Sequence, residues 1–311
     1  CAFKEWGTEC FKKFNGEWAL AILDKKENKI IITRDGIGFK PCYIYEDNKY
    51  FSFSSEIKAF YPLNENLDFD SDNLGISGET LSYNSRTIFK NITQLKQGRV
   101  LEIDLNSLHK RQIRWDYPLS NLPKTSANYK ENTENYFELL KEATKIRLRS
   151  DVSIGTSLSG GLDSSAIFSI LNLLDKNQNV DKLNLNPIIM NYKEMKSKKD
   201  ALKLVKLYNR NPLIVEDKDE NIENTKKIIS KLEVIEEFFM QYNLYKNQNE
   251  RGIKVSIDGH GSDEFLGYPQ FFPEYSVDIF NNMINNYYAI NKYGGPNSVI
   301  RLKNLFGIKN V

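Results

Sequence analysis

Between residues 17 and 105 the apolar positions fall in short runs broken by polar turns. Glu17-Trp18-Ala19-Leu20-Ala21-Ile22-Leu23-Asp24 and Lys29-Ile30-Ile31-Ile32-Thr33-Arg34 predict two strands around a polar turn. Cys42-Tyr43-Ile44-Tyr45 and Tyr50-Phe51-Ser52-Phe53 predict a second hairpin around Glu46-Asp47-Asn48, and Val100 to Leu105 predicts a further strand. Upstream, Phe3 to Phe14 alternates as a short helix could. Strands this closely spaced predict an antiparallel layer, hence an α+β unit.

The pattern changes after Pro118 to Asn128, a stretch rich in Pro, Ser and Asn that reads as a linker. From Asn128 to Arg149, Tyr136, Leu139, Leu140, Ala143 and Ile146 recur at helical spacing. Strands and helices then alternate: a strand running up to Ser157, a helix from Leu162 to Leu174, a strand at Leu185 to Met190 and a helix at Lys198 to Tyr208. Next come a strand at Pro212 to Val215, helices near Glu220 to Leu232 and Glu237 to Arg251, and a strand at Lys254 to Ile257. Such alternation predicts a parallel sheet with right-handed crossovers. Ligands on these sheets bind beyond the strand carboxyl ends, at a switch point.

Two loops at that predicted edge carry chemistry. The first is Ser157-Leu158-Ser159-Gly160-Gly161-Leu162-Asp163-Ser164-Ser165, a strand end, a glycine turn and a helix start. The turn aims the N–H groups of Ser159, Gly160 and Gly161 and the positive end of the helix dipole at one spot, which suits an anion. Glycine lets a phosphate reach the backbone. Asp163 would repel that anion unless a Mg²⁺, which prefers oxygen ligands, lies between them. The plainer reading is a strand–helix turn relieved by Gly-Gly and capped by Asp163, but the full string favours a nucleotide site with a metal. The second loop is Asp258-Gly259-His260-Gly261-Ser262-Asp263-Glu264. Its glycines again permit close approach, and Asp263 offers the metal a second carboxylate.

Composition narrows the classes. Forty-three basic against 41 acidic residues give no charge bias toward nucleic acid or an anionic membrane. Cys1, Cys10 and Cys42 are odd in number and lack CxxC spacing, so no disulfide framework is expected. No run is apolar enough to span a bilayer, and a cytoplasmic setting is the expectation. At 311 residues the chain has room for two domains. A first residue other than Met is read as a fragment or a processed start.

The Ser159–Ser165 string resembles the pyrophosphate loop of substrate-adenylating ATP pyrophosphatases, and Arg147-Leu148-Arg149-Ser150-Asp151-Val152 before it resembles the asparagine synthetase branch. Three earlier segments resemble the glutaminase half of that family: Phe14 to Asp24, Arg34-Asp35-Gly36-Ile37-Gly38-Phe39-Lys40-Pro41-Cys42-Tyr43, and Ser54-Ser55-Glu56-Ile57-Lys58-Ala59. The implied fold class is α/β. An antiparallel α+β glutaminase remnant of the N-terminal-nucleophile type, 1–118, precedes a parallel-sheet ATP-pyrophosphatase (adenine nucleotide α-hydrolase-like) domain, 119–311. In such glutaminases a Cys thiolate attacks the glutamine amide, with its own amine as base. Cys1 is followed by Ala2-Phe3-Lys4-Glu5-Trp6-Gly7, a context that matches a later helix, so it is read as a fragment end. The family's later Lys is not found before Val311, because Lys292, Lys303 and Lys309 lack its context; shortening at both ends is the expectation.

The resemblance implies ATP-dependent amidation of a carboxylate, aspartate or a related acid, through an acyl-adenylate. ATP and Mg²⁺ are the implied cofactors, and glutamine or ammonia supplies nitrogen. It assigns the nucleotide to Ser157, Leu158, Ser159, Gly160, Gly161, Asp163, Ser164, Ser165, Met190, Asp258 and Gly259, and the metal to Asp163 and Asp263. Ser157, Met190, Asp258 and Gly259 would act at the adenine and ribose. His260 stands where the synthetases carry an acid, and is a candidate acid/base, while Glu233 is a candidate for facing the acyl substrate. His109, in a polar stretch, reads as exposed. The expected partners are small molecules, with a homodimer left open and neither nucleic acid nor membrane. Two alternatives stay open: a β-lactam synthetase or peptide cyclase of the same superfamily, and a nucleotide-binding remnant without turnover.

Overall fold

The structure, a computed structural model, describes residues 2–74, 76, 81–82, 84–116, 128–177, 185–191, 198–216, 222–233 and 239–262. The chain divides into two compact units, Cys1–Tyr129 with Asp219–Phe239, and Lys130–Lys218 with Met240–Val311.

In the first unit, α1 (Ala2–Trp6) leads into a 3₁₀ turn, Gly7–Lys13. The single helix expected from Phe3 to Phe14 is thus split where Gly7 takes φ +55° and ends the α-turn. Strands β1 (Ala19–Asp24), β2 (Lys29–Arg34), β6 (Arg99–Asp104) and β7 (Lys110–Arg114) form one antiparallel sheet in that order. β3 (Tyr43–Glu46), β4 (Phe51–Ser54) and β5 (Ile92–Gln94) form a second, ordered β4-β3-β5.

Register explains why β2 is a nearly unbroken apolar run. Ile30 lies opposite Ile103 and Ile32 opposite Leu101, and these four point to one face, where they join Cys42, Ile44 and Leu95. Ile31 and Val100 point to the other face, against Cys10, Phe11, Trp18 and Trp115. A strand covered on both sides has no polar face to alternate with. A third cluster, with Tyr45, Ile57, Phe60 and Ile92 at its centre, packs around β3, β5 and the 3₁₀ turn Ile57–Phe60. Helix α5 (Ile222–Leu232) belongs to this unit.

The second unit is built on a parallel sheet, β10-β9-β8-β11, from β8 (Ile154–Ser157), β9 (Asn186–Asn191), β10 (Leu213–Glu216) and β11 (Val255–Ser256). Its helices are α2 (Tyr129–Arg147), α3 (Leu162–Asn177), α4 (Lys198–Leu207) and α6 (Phe239–Glu250). Ile154, Leu158, Phe168, Leu171, Ile189 and Ala201 form the core between strands and helices. Chain order runs outward from β8 through β9 to β10 and then returns to place β11 on the other side of β8. That reversal is a switch point, and it lies between the two loops singled out by the sequence.

Candidate functional site

All four strands of the second sheet are parallel, so Ser157, Asn191, Glu216 and Ser256 end at one edge. The chain leaves β8 through Leu158, whose N–H donates to Ile188 O at 2.8 Å, and turns at Gly160, φ +83°. An L side chain there would be strained, which is why glycine occupies the turn. Two hydroxyls tie the loop to the helix that follows. Ser159 N–H donates to Ser164 Oγ (3.2 Å), the two hydroxyls lie 2.9 Å apart, and Gly161 N–H donates to Ser159 Oγ (3.2 Å). The Ser164 hydroxyl also reaches Gly161 O (3.3 Å), and Ser165 N–H donates to the same carbonyl (3.1 Å).

The sequence predicts that all three amides of Ser159–Gly161 face an anion. Two of them are satisfied by neutral hydroxyls instead. Gly160 N–H has no acceptor among the described residues, and the first amides of α3 have no intrahelical one. The positive end of α3 is therefore exposed to whatever sits over the turn. Asp163, half-buried in that first turn, has no cationic partner among the described residues. An unneutralised carboxylate beside an anion cradle is a donor suited to a hard cation. Asp263, the second expected metal ligand, lies outside the described residues, and no cluster of three acidic, His or Cys side chains occurs among those described.

The loop after β11 meets this cradle directly. A Cβ on Gly259 would stand 2.7 Å from both Asp163 C and Ser164 N, so only glycine allows the two backbones to pass. Asp258 Oδ1 accepts the Ser157 N–H at 2.5 Å and the Ser256 hydroxyl at 2.9 Å, while Oδ2 accepts the Tyr245 hydroxyl at 2.9 Å. Gln248, buried on the same helix as Tyr245, donates to Ser256 Oγ at 3.0 Å. Burial, reinforced by the Asp258 carboxylate, pushes the Tyr245 phenol well above its usual range, so it remains a donor. Ser157 Oγ is buried without a partner among the described residues.

The structure thus brings Ser157, Leu158, Ser159, Gly160, Gly161, Asp163, Ser164 and Ser165 together with Asp258, Gly259 and His260 at one edge. His260 is exposed, with Nε2 3.3 Å from Gln241 Nε2. Leu158 and Met190 have buried side chains, so any part they take in binding is through their backbones. Beyond Met190, Asn191 donates to Glu216 at 2.6 Å and accepts from Lys198, a polar trio that no motif signalled. Tyr245, Gln248 and Ser256 were missed too, because Tyr245 and Gln248 belong to a helix with no signature of its own. Glu233 belongs to the first unit. Its carboxylate accepts the Ile57 N–H at 2.7 Å and the Lys58 N–H, capping the 3₁₀ turn that begins there.

Comparison with known proteins places these observations. Residues 1–115 match the model of a glutamine amidotransferase domain, and residues 135–298 match that of asparagine synthase. A Methanocaldococcus jannaschii protein provisionally named asparagine synthetase (glutamine-hydrolysing) 2 is 38% identical over 176 residues, 54% of this chain and 33% of that protein. Asparagine synthetase (glutamine-hydrolysing) 3 of Bacillus subtilis is 32% identical over 173 residues, 54% of this chain and 27% of its own length. A second M. jannaschii protein, provisionally named synthetase 1, aligns at 29% over 283 residues, 83% of this chain and 46% of that one. The matches therefore span less than half the length of each of these relatives. Among solved structures, glutamine-dependent NAD⁺ synthetase from Acinetobacter baumannii, in complex with ADP, aligns at 12% identity and a TM-score of 0.31, over 86% of this chain and 65% of that one; a likeness this weak carries no argument.

Proposed function

The chain belongs to the asparagine synthase family, and from that premise we propose that it serves ATP-dependent amidation of a carboxylate, aspartate or a related acid, with nitrogen from glutamine or ammonia. The observation that carries this reading is the backbone-to-backbone meeting of the Ser159–Ser165 turn with Gly259 at the switch point of the parallel sheet. In the proposed reaction the substrate carboxylate attacks the α-phosphorus of ATP. An acyl-adenylate forms and pyrophosphate leaves, and ammonia then displaces AMP.

The Gly160 N–H and the amino end of α3 would receive the β- and γ-phosphates, where charge accumulates as pyrophosphate departs. Ser164 and Ser165 sit in that first turn, and their amides and hydroxyls would be offered to the same charge. The backbones of Leu158 and Met190, with Ser157, would line the nucleoside, and Gly259 would close the other side. Asp163, joined by Asp263, would hold Mg²⁺, which when bound neutralises the polyphosphate. His260, at the exposed rim of the second loop, is proposed as the acid/base group. Glu233 is not carried into this reading, since its carboxylate is occupied by the Ile57 and Lys58 amides.

Neither described cysteine suits glutamine hydrolysis. Cys10 and Cys42 are both buried, and burial pushes the Cys42 thiol up to about 11, so little thiolate forms at neutral pH. A cytoplasmic setting and small-molecule partners complete the proposal. No described helix is long and apolar enough to cross a membrane.

The test is pyrophosphate release by the intact gene product, screened over carboxylates with ATP·Mg²⁺ and either glutamine or ammonia. Aspartate-dependent release that Asp163→Ala abolishes is the expected result. Release with an acid that needs neither glutamine nor ammonia, the amine coming from the substrate itself, would move the reading to the β-lactam synthetase or peptide-cyclase alternative. ATP binding without release on any acid would leave a nucleotide-binding remnant.

A further inference from the structure

Asp258 was expected to line the nucleotide, yet both of its oxygens are already in use. Oδ1 takes the Ser157 amide and the Ser256 hydroxyl, and Oδ2 takes the Tyr245 hydroxyl. A carboxylate holding three donors has little capacity left for a ligand. The bonded groups also come from three different elements: the carboxyl end of β8, the end of β11, and α6. Gln248, itself 3% exposed, extends the line by donating to Ser256. One residue further on, Gly259 passes the start of α3 with no room for a methyl group.

We infer that Asp258 is a positioning residue, a clip between the two nucleotide loops, and that Tyr245 is its second anchor. The inference deepens the proposed nucleotide site and rests on that reading. Without the clip, the Ser157 amide loses its acceptor and nothing in the Asp258 side chain fixes the distance between Gly259 and the Asp163–Ser164 backbone. The cradle over Gly160 then widens, and the polyphosphate is held by fewer groups at once. A charged acceptor makes the stronger bond to each donor, which suits a clip that must hold two loops in register.

The test uses Asp258→Ala, Asp258→Asn, Tyr245→Phe and the double variant Asp258→Ala/Tyr245→Phe in the intact protein. Two readouts are taken: equilibrium binding of ATP·Mg²⁺, and amide exchange of the peptide containing Ser157. Asp258→Ala is expected to weaken ATP binding about 10-fold or more and to accelerate Ser157 exchange. Tyr245→Phe should shift both in the same direction by less, and the double variant should be no worse than Asp258→Ala, because both remove one device. Asp258→Asn, which keeps an acceptor for the Ser157 amide, should recover much of the loss. If Asp258 instead touches the nucleotide, Asp258→Ala and Tyr245→Phe will be additive and Ser157 exchange will not move, which overturns the inference. Exchange is measured without turnover, so a failure of the amidation reading appears only in pyrophosphate release and leaves this result distinguishable.

Discussion

The turn after β2 and the turn after β8 both gather backbone N–H groups around a point just beyond a strand. After β2 the point is filled from within. Asp35, 4% exposed, accepts the amides of Ile37 (3.2 Å), Gly38 (2.7 Å) and Phe39 (2.8 Å) on Oδ1, and those of Trp18 (3.2 Å) and Lys40 (3.1 Å) on Oδ2. Burial alone would push this carboxyl up. The N–H donors of Phe39, Lys40, Trp18 and Gly38 outweigh it and hold the group below the usual carboxylate range. Arg34 beside it is also buried and reaches the carbonyls of Leu95 (3.0 Å) and Gly38, which ties the turn to the second sheet of the same unit.

After β8 no carboxylate of the described residues accepts an amide of the turn. Neutral serine hydroxyls hold two amides, the amide of Gly160 has no acceptor among the described residues, and Asp163 lies in the first turn of α3. A nest of amides filled by the protein's own anion is a structural joint; one left partly empty is a place for an anion brought from outside. Both turns belong to motifs that resemble the same family, so motif matching alone does not separate the two roles. The occupancy of the amides among the described residues supports a joint at the first turn and the proposed anion site at the second.

The largest effect should come from emptying the filled nest. Asp35→Ala leaves five amides without their acceptor and should destabilise the first unit by about 3 kcal/mol or more. All three tryptophans, Trp6, Trp18 and Trp115, lie in that unit, so tryptophan fluorescence in urea reads it selectively. ATP binding by the second unit should be retained, and its loss would mean that the two turns are not independent.

The converse is to obstruct the open nest. Gly259→Ala forces a Cβ against the Asp163 and Ser164 backbones, an overpacking that costs about 1–3 kcal/mol. ATP binding should weaken about 10-fold or more while the tryptophan unfolding curve stays in place. Unchanged affinity would remove Gly259 from the site.

Acid should distinguish the turns by a smaller margin. The folded-state value of Asp35 is depressed, so its stabilisation is complete above the unfolded value, about 3.9, and is lost as pH falls through the lower folded one. Tryptophan-detected stability should therefore drop below about pH 4, and Asp35→Asn should flatten that drop. The same slope in the variant would place the sensitivity elsewhere.

The smallest effect expected is at Glu233. Glu233→Ala removes the acceptor for the Ile57 and Lys58 amides and should cost the first unit about 1 kcal/mol, as loss of a cap does. Pyrophosphate release per folded molecule should be unchanged; a large fall in kcat would return Glu233 to the chemistry.

Much of the architecture was legible from local pattern. The β1–β2 hairpin, helices α2 to α4 and the strand–turn–helix at 154–177 all follow from periodicity and from glycine placement, which act within a few residues. Strands β5 and β7 were missed. One is three residues long, and the other, Lys-Arg-Gln-Ile-Arg, is a polar edge whose pairing comes from β6 and not from its own residues. Local pattern also could not show that the segment 219–239 joins the first unit.

The sequence by itself determined that a strand ends in a glycine turn carrying Asp163, and that a second glycine loop follows a later strand. Those facts depend on neighbours along the chain. Only the tertiary structure decided that β11 returns beside β8, that Gly259 passes the start of α3, and that Asp258 is spent on Ser157, Ser256 and Tyr245. The last of these bonds joins residues 13 positions apart and the first joins residues 101 apart. A hydrogen bond is set by where folding brings donor and acceptor, and nothing in the order of residues records which of several carboxylates will meet a given amide.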